Sequence, residues 1–323
     1  MTQQTSTKLI TIIGGGGYLG RYVVRKLAKT GARLRVADRN PNEVLFLRPL
    51  GDVGQIQLVQ ANIRNIESLR HAVRGADQVV NLAGVIANAG HNTFTSVHEI
   101  GAGNVAQACA EEGVNQLVHV SALGADFSSK SQYHRSKAAG EREVEEHFPD
   151  ATIIRPSVLI GPNDKFFHRF ATLVRPFPVV PVVGGGKTLF QLAYVGDVAD
   201  AIVAALGQAD TAGRIYELGG PKVWSLREVY DFVLETTRRE RLLVPLPFFA
   251  AKFASIFLQM LPGKILRPDQ VNMLREDNVL SGDAPGFEDL GIEPTPAETI
   301  MAPDLVRHRK SGHYDQDWNE AVS

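Results

Sequence analysis

The sequence is poor in the residues and patterns that build several kinds of protein. It holds one cysteine, Cys109, so no intrachain disulfide can form and no paired-thiol metal site can be assembled. That composition suits a reducing compartment. Its histidines, His91, His119, His168 and His313 among them, follow no ligand spacing, and neither an HExxH motif nor a carboxylate cluster is present. No metal site is expected. No uninterrupted apolar run reaches the roughly 20 residues of a membrane-spanning helix, so no transmembrane segment is expected. Met1 to Lys8 lack the basic start and long apolar stretch of a secretory signal. Charge of one sign is missing too. Lys and Arg total 34 against 35 Asp and Glu, which gives no general attraction to nucleic acid. A cytoplasmic protein without a nucleic-acid partner is the expectation.

What is present suits a globular chain. With 323 residues, 44% hydrophobic and 21% charged, it can bury a large core as one domain with an appended lobe, or as two domains. Leu9 to Ile13 is β-branched and apolar, breaks into four glycines, and resumes with helical spacing from Tyr18 to Leu27. Strands are predicted again at Leu34–Asp38, Gln78–Leu82, Gln116–Ser121 and Ala151–Arg155. Helices are predicted around Ser68–Arg74, Gly101–Glu112 and Ser136–Glu146. This alternation predicts an α/β fold with a doubly wound parallel sheet. After Pro156 the pattern loosens, and Pro162, Pro176, Pro178 and Pro181 read as punctuation of connecting segments. A helix over Asp197–Leu206 and a strand over Arg214–Leu218 follow. The expected division is a dinucleotide-binding domain over residues 1–156, with 188–206 returning to it, and a smaller discontinuous lobe over 157–323. His308 to Ser323 reads as a polar tail.

The glycines fit two registers, G-x-G-x-x-G through Gly15, Gly17 and Gly20 and G-x-x-G-x-x-G through Gly14, Gly17 and Gly20. A helix N-terminus offers unpaired N–H groups to a pyrophosphate, and glycine removes side chains that would block it. Placement between a strand and a helix favours dinucleotide binding over a plain tight turn. Asp38 ends the second strand, where a carboxylate holds the ribose 2′-hydroxyl of NAD. Arg39 beside it can pair with the 2′-phosphate of NADP. Both also fit solvated turn residues. NADPH is the favoured cofactor, with NAD as the alternative.

Tyr133 and Lys137 lie four residues apart, on one helix face. An ammonium beside a phenol lowers the cost of phenolate, so the tyrosine can move the proton on a carbonyl or alcohol while a nicotinamide moves hydride. Ser121, ending a strand, is placed to hydrogen-bond the same substrate oxygen. Y-x-x-x-K alone is common as a surface pair. After a glycine turn, Asn81-Leu82-Ala83-Gly84 and Ser121, it becomes specific.

These motifs resemble the short-chain dehydrogenase/reductase superfamily in its extended and atypical branches, over residues 8 to 220. Arg155-Pro156-Ser157-Val158-Leu159-Ile160-Gly161-Pro162 and Tyr194-Val195-Gly196-Asp197-Val198-Ala199 match segments of those branches. Leu47 to Gly54, Gly75 to Gly84 and Phe148 to Ala151 are similar to the NADPH-binding accessory subunit family of respiratory complex I and its bacterial relatives. The resemblance implies a cofactor site at Gly14, Gly15, Gly17, Tyr18, Leu19 and Gly20, with Asp38, Arg39, Asn62, Ile63, Leu82, Ala83, Gly84, Tyr133, Lys137 and Pro156. The implied catalytic set is Ser121, Tyr133 and Lys137. The implied partners are respiratory complex I subunits at the membrane face, with a location peripheral on the inner membrane and a cofactor held mainly for structure. Two positions depart from the pattern. Asn62 stands where many relatives carry a carboxylate, and His98 where many active members have an asparagine, which alters the proton relay.

Phe248 to Leu261 is apolar and aromatic, bracketed by Pro245, Pro247 and Pro262 and followed by Lys264 and Arg267. It reads either as a buried helix or as an interfacial helix facing a membrane partner or an apolar, quinone-like or lipid-like ligand. Arg238-Arg239-Glu240-Arg241 reads as a solvated helix end. Three functions fit the sequence: an NADP(H)-binding complex I accessory subunit, a working NAD(P)-dependent reductase or epimerase on an isoprenoid, quinone precursor or nucleotide sugar, and a redox-sensing binding module.

Overall fold

The structure is a computed structural model and describes residues 8–258 and 268–310. The chain forms two compact units, the first made of the residues up to Pro156, Val195–Leu218 and Ser281–Glu293, the second of the remainder.

In the first unit, β1 (Leu9–Ile13), β2 (Arg33–Asp38), β3 (Ile56–Gln60), β4 (Gln78–Asn81), β5 (Gln116–Val120) and β6 (Thr152–Pro156) alternate with α1 (Tyr18–Ala28), α2 (Ile66–Val73), α3 (Ile100–Glu111) and α4 (Gln132–His147). In the second unit follow β7 (Leu159–Ile160), α5 (Phe167–Leu173), β8 (Val179–Val183), β9 (Leu189–Phe190) and β10 (Ala193–Tyr194). The chain returns to the first unit with α6 (Val195–Gly207) and β11 (Ile215–Leu218). It re-enters the second with β12 (Trp224–Ser225), α7 (Leu226–Thr236), β13 (Leu242–Leu246), α8 (Phe248–Leu258), α9 (Pro268–Met273) and α10 (Ala297–Leu305).

The main sheet has the order β11-β6-β5-β4-β1-β2-β3, and every pairing is parallel. This is the predicted doubly wound sheet. Buried strands need apolar residues on both faces, and Ile10, Ile12 and Ile13 of β1 meet that need. Helix α1 turns Leu19, Val23, Val24 and Leu27 inward at helical spacing. Strand order reverses between β1 and β4, and ligands of open α/β sheets gather outside the strand ends at such a switch point.

Ser281–Glu293 joins this unit through the β11 edge. Glu217 donates its N–H to Pro285 O at 3.0 Å and accepts from Ser281 N at 2.8 Å. Of the predicted return segment, 188–194 lies with the second unit and 195–206 with the first.

The second unit packs Phe167, Phe190, Trp224, Tyr230 and Met301 into its own core. Ser225 caps α7 in a reciprocal box with Glu228, which satisfies two otherwise orphaned N–H groups. Where the proline-rich segment read as connection, β8 instead pairs in parallel with β13. Each of these strands has a single neighbour, so Pro181 and Pro245 are tolerated on an edge. On α8, Ala251 and Ser255 are buried while Phe249 and Phe253 are exposed. Gln259 to Leu261, Lys264 and Arg267 lie outside the described residues, as do residues 311–323 of the tail. His308, where the tail reading began, instead sits in a 3-10 turn over Val306–His308.

Candidate dinucleotide site

The site is built from loops on both sides of the switch point. β1 runs into Gly14, whose φ of 79° lies in the left-handed region that side chains rarely adopt. Gly14 donates to Ala37 O at 3.1 Å, and Gly17 N–H donates back to Gly14 O at 3.1 Å, closing the turn. Gly17 caps α1 without a side-chain hydrogen bond. At Gly20 a Cβ would come within 2.4 Å of Gly15 O and 2.6 Å of Gly15 Cα. Both are backbone atoms, so glycine there lets the helix start against the turn. Leu82 donates to Ile13 O at 2.9 Å, and Asn81 Oδ1 accepts from Ala83 N–H at 3.1 Å. Leu82-Ala83-Gly84 thus runs beside the glycine turn.

Asp38 accepts from Asn40 N–H through Oδ1, and its Oδ2 lies 3.3 Å from where a Cβ on Gly16 would stand. The carboxylate therefore borders the turn at a glycine absent from the predicted set. Arg39 is exposed and makes no ion pair among the described residues. Asn62 is committed locally, its Oδ1 accepting from Arg64 N–H at 3.1 Å. Ile63 is buried against Gly101, and its carbonyl accepts from Asn104 Nδ2 at 3.0 Å. The carbonyl of Pro156 accepts from Leu123 N–H at 2.9 Å, steadying the segment after Ser121.

Lys137 is buried and donates through Nζ to Val120 O at 3.2 Å. Burial brings its pKa down to about 8, against an opposing pull from Glu141. A Cβ on Gly84 would lie 3.5 Å from Lys137 Nζ and 3.6 Å from His98 Nε2, so these three meet. Tyr133 packs edge-on against Phe94, His98 and His134. Desolvation pushes its phenol up to about 12. Ser121 Oγ is buried without a hydrogen-bond partner.

Two residues that define this interior are histidines. His98 lies on a π-type turn over Thr95–Glu99 ahead of α3, held close because Gly140 of α4 leaves space for its carbonyl. Its Nε2 accepts from Val85 N–H at 3.0 Å, so Nδ1 carries the proton and donates to Ser136 Oγ at 2.8 Å. Ser136 Oγ in turn donates to Tyr133 O at 2.7 Å. Both nitrogens are used, and burial, then the Lys137 charge, drives the pKa down to about 2.

His119, 2% exposed, faces Asn81 Nδ2 through Nδ1 at 3.1 Å. Since Asn81 Oδ1 takes the Ala83 N–H, His119 Nδ1 is the acceptor and Nε2 carries the proton. That Nε2 is buried without a partner. Sequence reasoning missed this Asn81–His119 pair, because its only signal was the equal register of two polar residues on neighbouring strands.

The glycine turn that a Cβ would fill and the orphaned Ser121 oxygen both fit a bound dinucleotide. No group of His, Cys, Asp and Glu among the described residues could hold a metal ion. No described helix is long and apolar enough to cross a membrane.

Fold and site define a doubly wound dinucleotide-binding protein of the reductase and epimerase type. The chain belongs to the NAD dependent epimerase/dehydratase family, whose model matches residues 10–219. It is similar to NADH dehydrogenase (ubiquinone) 1 alpha subcomplex subunit 9, mitochondrial, of Mus musculus, at 36% identity over 93% of this chain and 80% of that protein. The Arabidopsis thaliana protein of the same name is 34% identical over 94% and 78%. A nucleoside-diphosphate-sugar epimerase from Staphylococcus aureus shares the fold with a TM-score of 0.72 at 17% identity, over 91% of this chain and 99% of that one. The family implies NAD(P) binding.

Proposed function

We propose that this protein is an NADP(H)-binding accessory subunit of a complex I-type NADH:quinone oxidoreductase, holding its dinucleotide mainly as part of the fold. The assembly is inferred from the two mitochondrial relatives, whose similarity spans more than nine tenths of the chain. One observation carries the choice of holding over turnover: both nitrogens of His98 are committed inside the protein, Nε2 accepting from Val85 N–H and Nδ1 donating to Ser136 Oγ, so neither is open to a substrate.

A bound nicotinamide supplies hydride transfer. The chain's residues supply the binding. The α1 start takes the pyrophosphate through backbone N–H groups, and the unpaired Arg39 takes the 2′-phosphate that distinguishes NADPH. Tyr133 and Lys137 serve as polar ligands for the ribose and nicotinamide end. A bound dinucleotide adds stability by mass action. Phe249 and Phe253 on α8 offer an apolar surface to a membrane-facing partner or ligand.

A second reading, an active reductase, is favoured by the unpartnered Ser121 Oγ standing in one site with Tyr133 and Lys137. The test is nucleotide analysis of the protein isolated gently from respiratory membranes. Near-stoichiometric NADPH, released only on unfolding and retained in Tyr133→Phe, is the expected result. Steady NADPH oxidation with a carbonyl substrate, abolished by Tyr133→Phe, would replace this reading with the reductase.

A further inference from the structure

Three helix ends of the second unit bring arginines together. Arg175 follows α5, Arg239 and Arg241 follow α7, and Arg309 follows the 3-10 turn after α10. Helix capping accounts for part of this: Arg241 Nε donates to Val174 O at 2.9 Å, Arg309 Nε to Thr236 O at 2.9 Å, and Arg239 Nη2 to His308 O at 3.0 Å. Such bonds satisfy the last carbonyls of a helix. Arg241 is fully engaged, its Nη1 and Nη2 donating also to Glu240 O at 2.8 Å and Arg175 O at 3.4 Å, while the other arginines keep donors unused. Arg239 Nε and Arg309 Nη1 are buried without a partner, as is His308 Nδ1. Arg175 is exposed and makes no side-chain hydrogen bond or ion pair among the described residues.

No described carboxylate pairs with any of these four arginines, and Asp304 is already bonded to Arg307 and His168, at 2.9 and 2.6 Å. Arg239 is held below the usual arginine range by desolvation first, then by the charges of Arg241 and Arg175. A desolvated guanidinium facing like charges is unfavourable until an anion arrives, and guanidinium forks match phosphate oxygens. Two of these arginines, Arg175 and Arg239, line an open hollow of about 480 Å³ together with Pro176 and Thr172, which adds a hydroxyl.

We propose that this hollow is a binding site for a phosphate group, free or carried on a lipid headgroup. It is independent of the dinucleotide reading.

The test titrates the full chain, saturated with NADPH so that the glycine turn is not probed, with inorganic phosphate. In parallel the protein is co-sedimented with phosphatidylcholine vesicles with and without phosphatidic acid. Arg175→Gln removes a side chain that holds nothing in the fold, so it reads binding and not folding. It is expected to weaken binding at least about tenfold, the loss of one charge-assisted hydrogen bond, while the exposed Arg33→Gln leaves it unchanged. Phosphate binding without vesicle preference assigns a soluble source, and capture by phosphatidic acid vesicles alone assigns a headgroup. Binding that is unchanged in Arg175→Gln, or absent with both probes, overturns the site.

Discussion

Lowering the pH from about 7.5 to about 5.5 protonates histidine in an unfolded chain but leaves His98 and His119 neutral in this fold. Their folded pKa values lie at about 2 and about 3, lowered first by burial and then by the Lys137 charge. A folded value below the unfolded one means that the stability is fully present above about pH 6.5 and is lost as the pH falls toward the folded value. At about one pH unit below the ordinary value the unfolded state gains about 1.4 kcal/mol per site, or about 3 kcal/mol for the pair. That is a large share of the roughly 5–15 kcal/mol that holds a domain together.

Urea unfolding followed by circular dichroism at several pH values measures this loss, and His98→Gln isolates one site. The variant starts less stable, since it disturbs the Val85 and Ser136 bonds. Its loss on acidification is expected to be smaller than wild type by about 1.4 kcal/mol. A wild-type protein losing less than about 0.5 kcal/mol over this window, or a variant losing as much as wild type, would show that His98 is not held neutral.

Gly20→Ala would push a Cβ against the Gly15 backbone. Dinucleotide retention is expected to fall at least about a hundredfold as α1 shifts off the turn, and equal retention in both proteins would contradict the cradle. Arg39→Ala is expected to weaken NADPH about tenfold while leaving NADH nearly unchanged; a parallel change in both would remove Arg39 from phosphate recognition. Arg155 holds Glu141 through two bonds of 2.9 and 2.6 Å and lies 3.6 Å from Glu217. Both carboxylates are buried. Arg155→Met is therefore expected to cost about 3–5 kcal/mol, read as a lowered Tm, and a loss below about 1 kcal/mol would mean that water reaches the pair.

Much of the first unit was legible because its signals are local. Glycine placement, β-branched runs and helical spacing fix where β1, the turn and α1 lie, since each depends on neighbours a few residues away. The pairing of Tyr133 with Lys137 on one helix face was legible for the same reason. The π-type turn that carries His98 was not, because it depends on Gly140, far along the chain, admitting the His98 carbonyl. Nor was the return of Ser281–Glu293, which rests on bonds to the β11 edge.

The sequence by itself determined that a dinucleotide turn stands at the start of a doubly wound sheet and that a serine, a tyrosine and a lysine accompany it. Tertiary structure alone decided the protonation of that site. Burial raises Tyr133, lowers Lys137 and fixes His98 as a neutral imidazole. It also brings Arg175 and Arg239, which follow two separate helices, to one hollow. The physical reason is common to both. Solvent exposure and like-charge proximity are properties of the packed chain, and no short stretch of sequence encodes them.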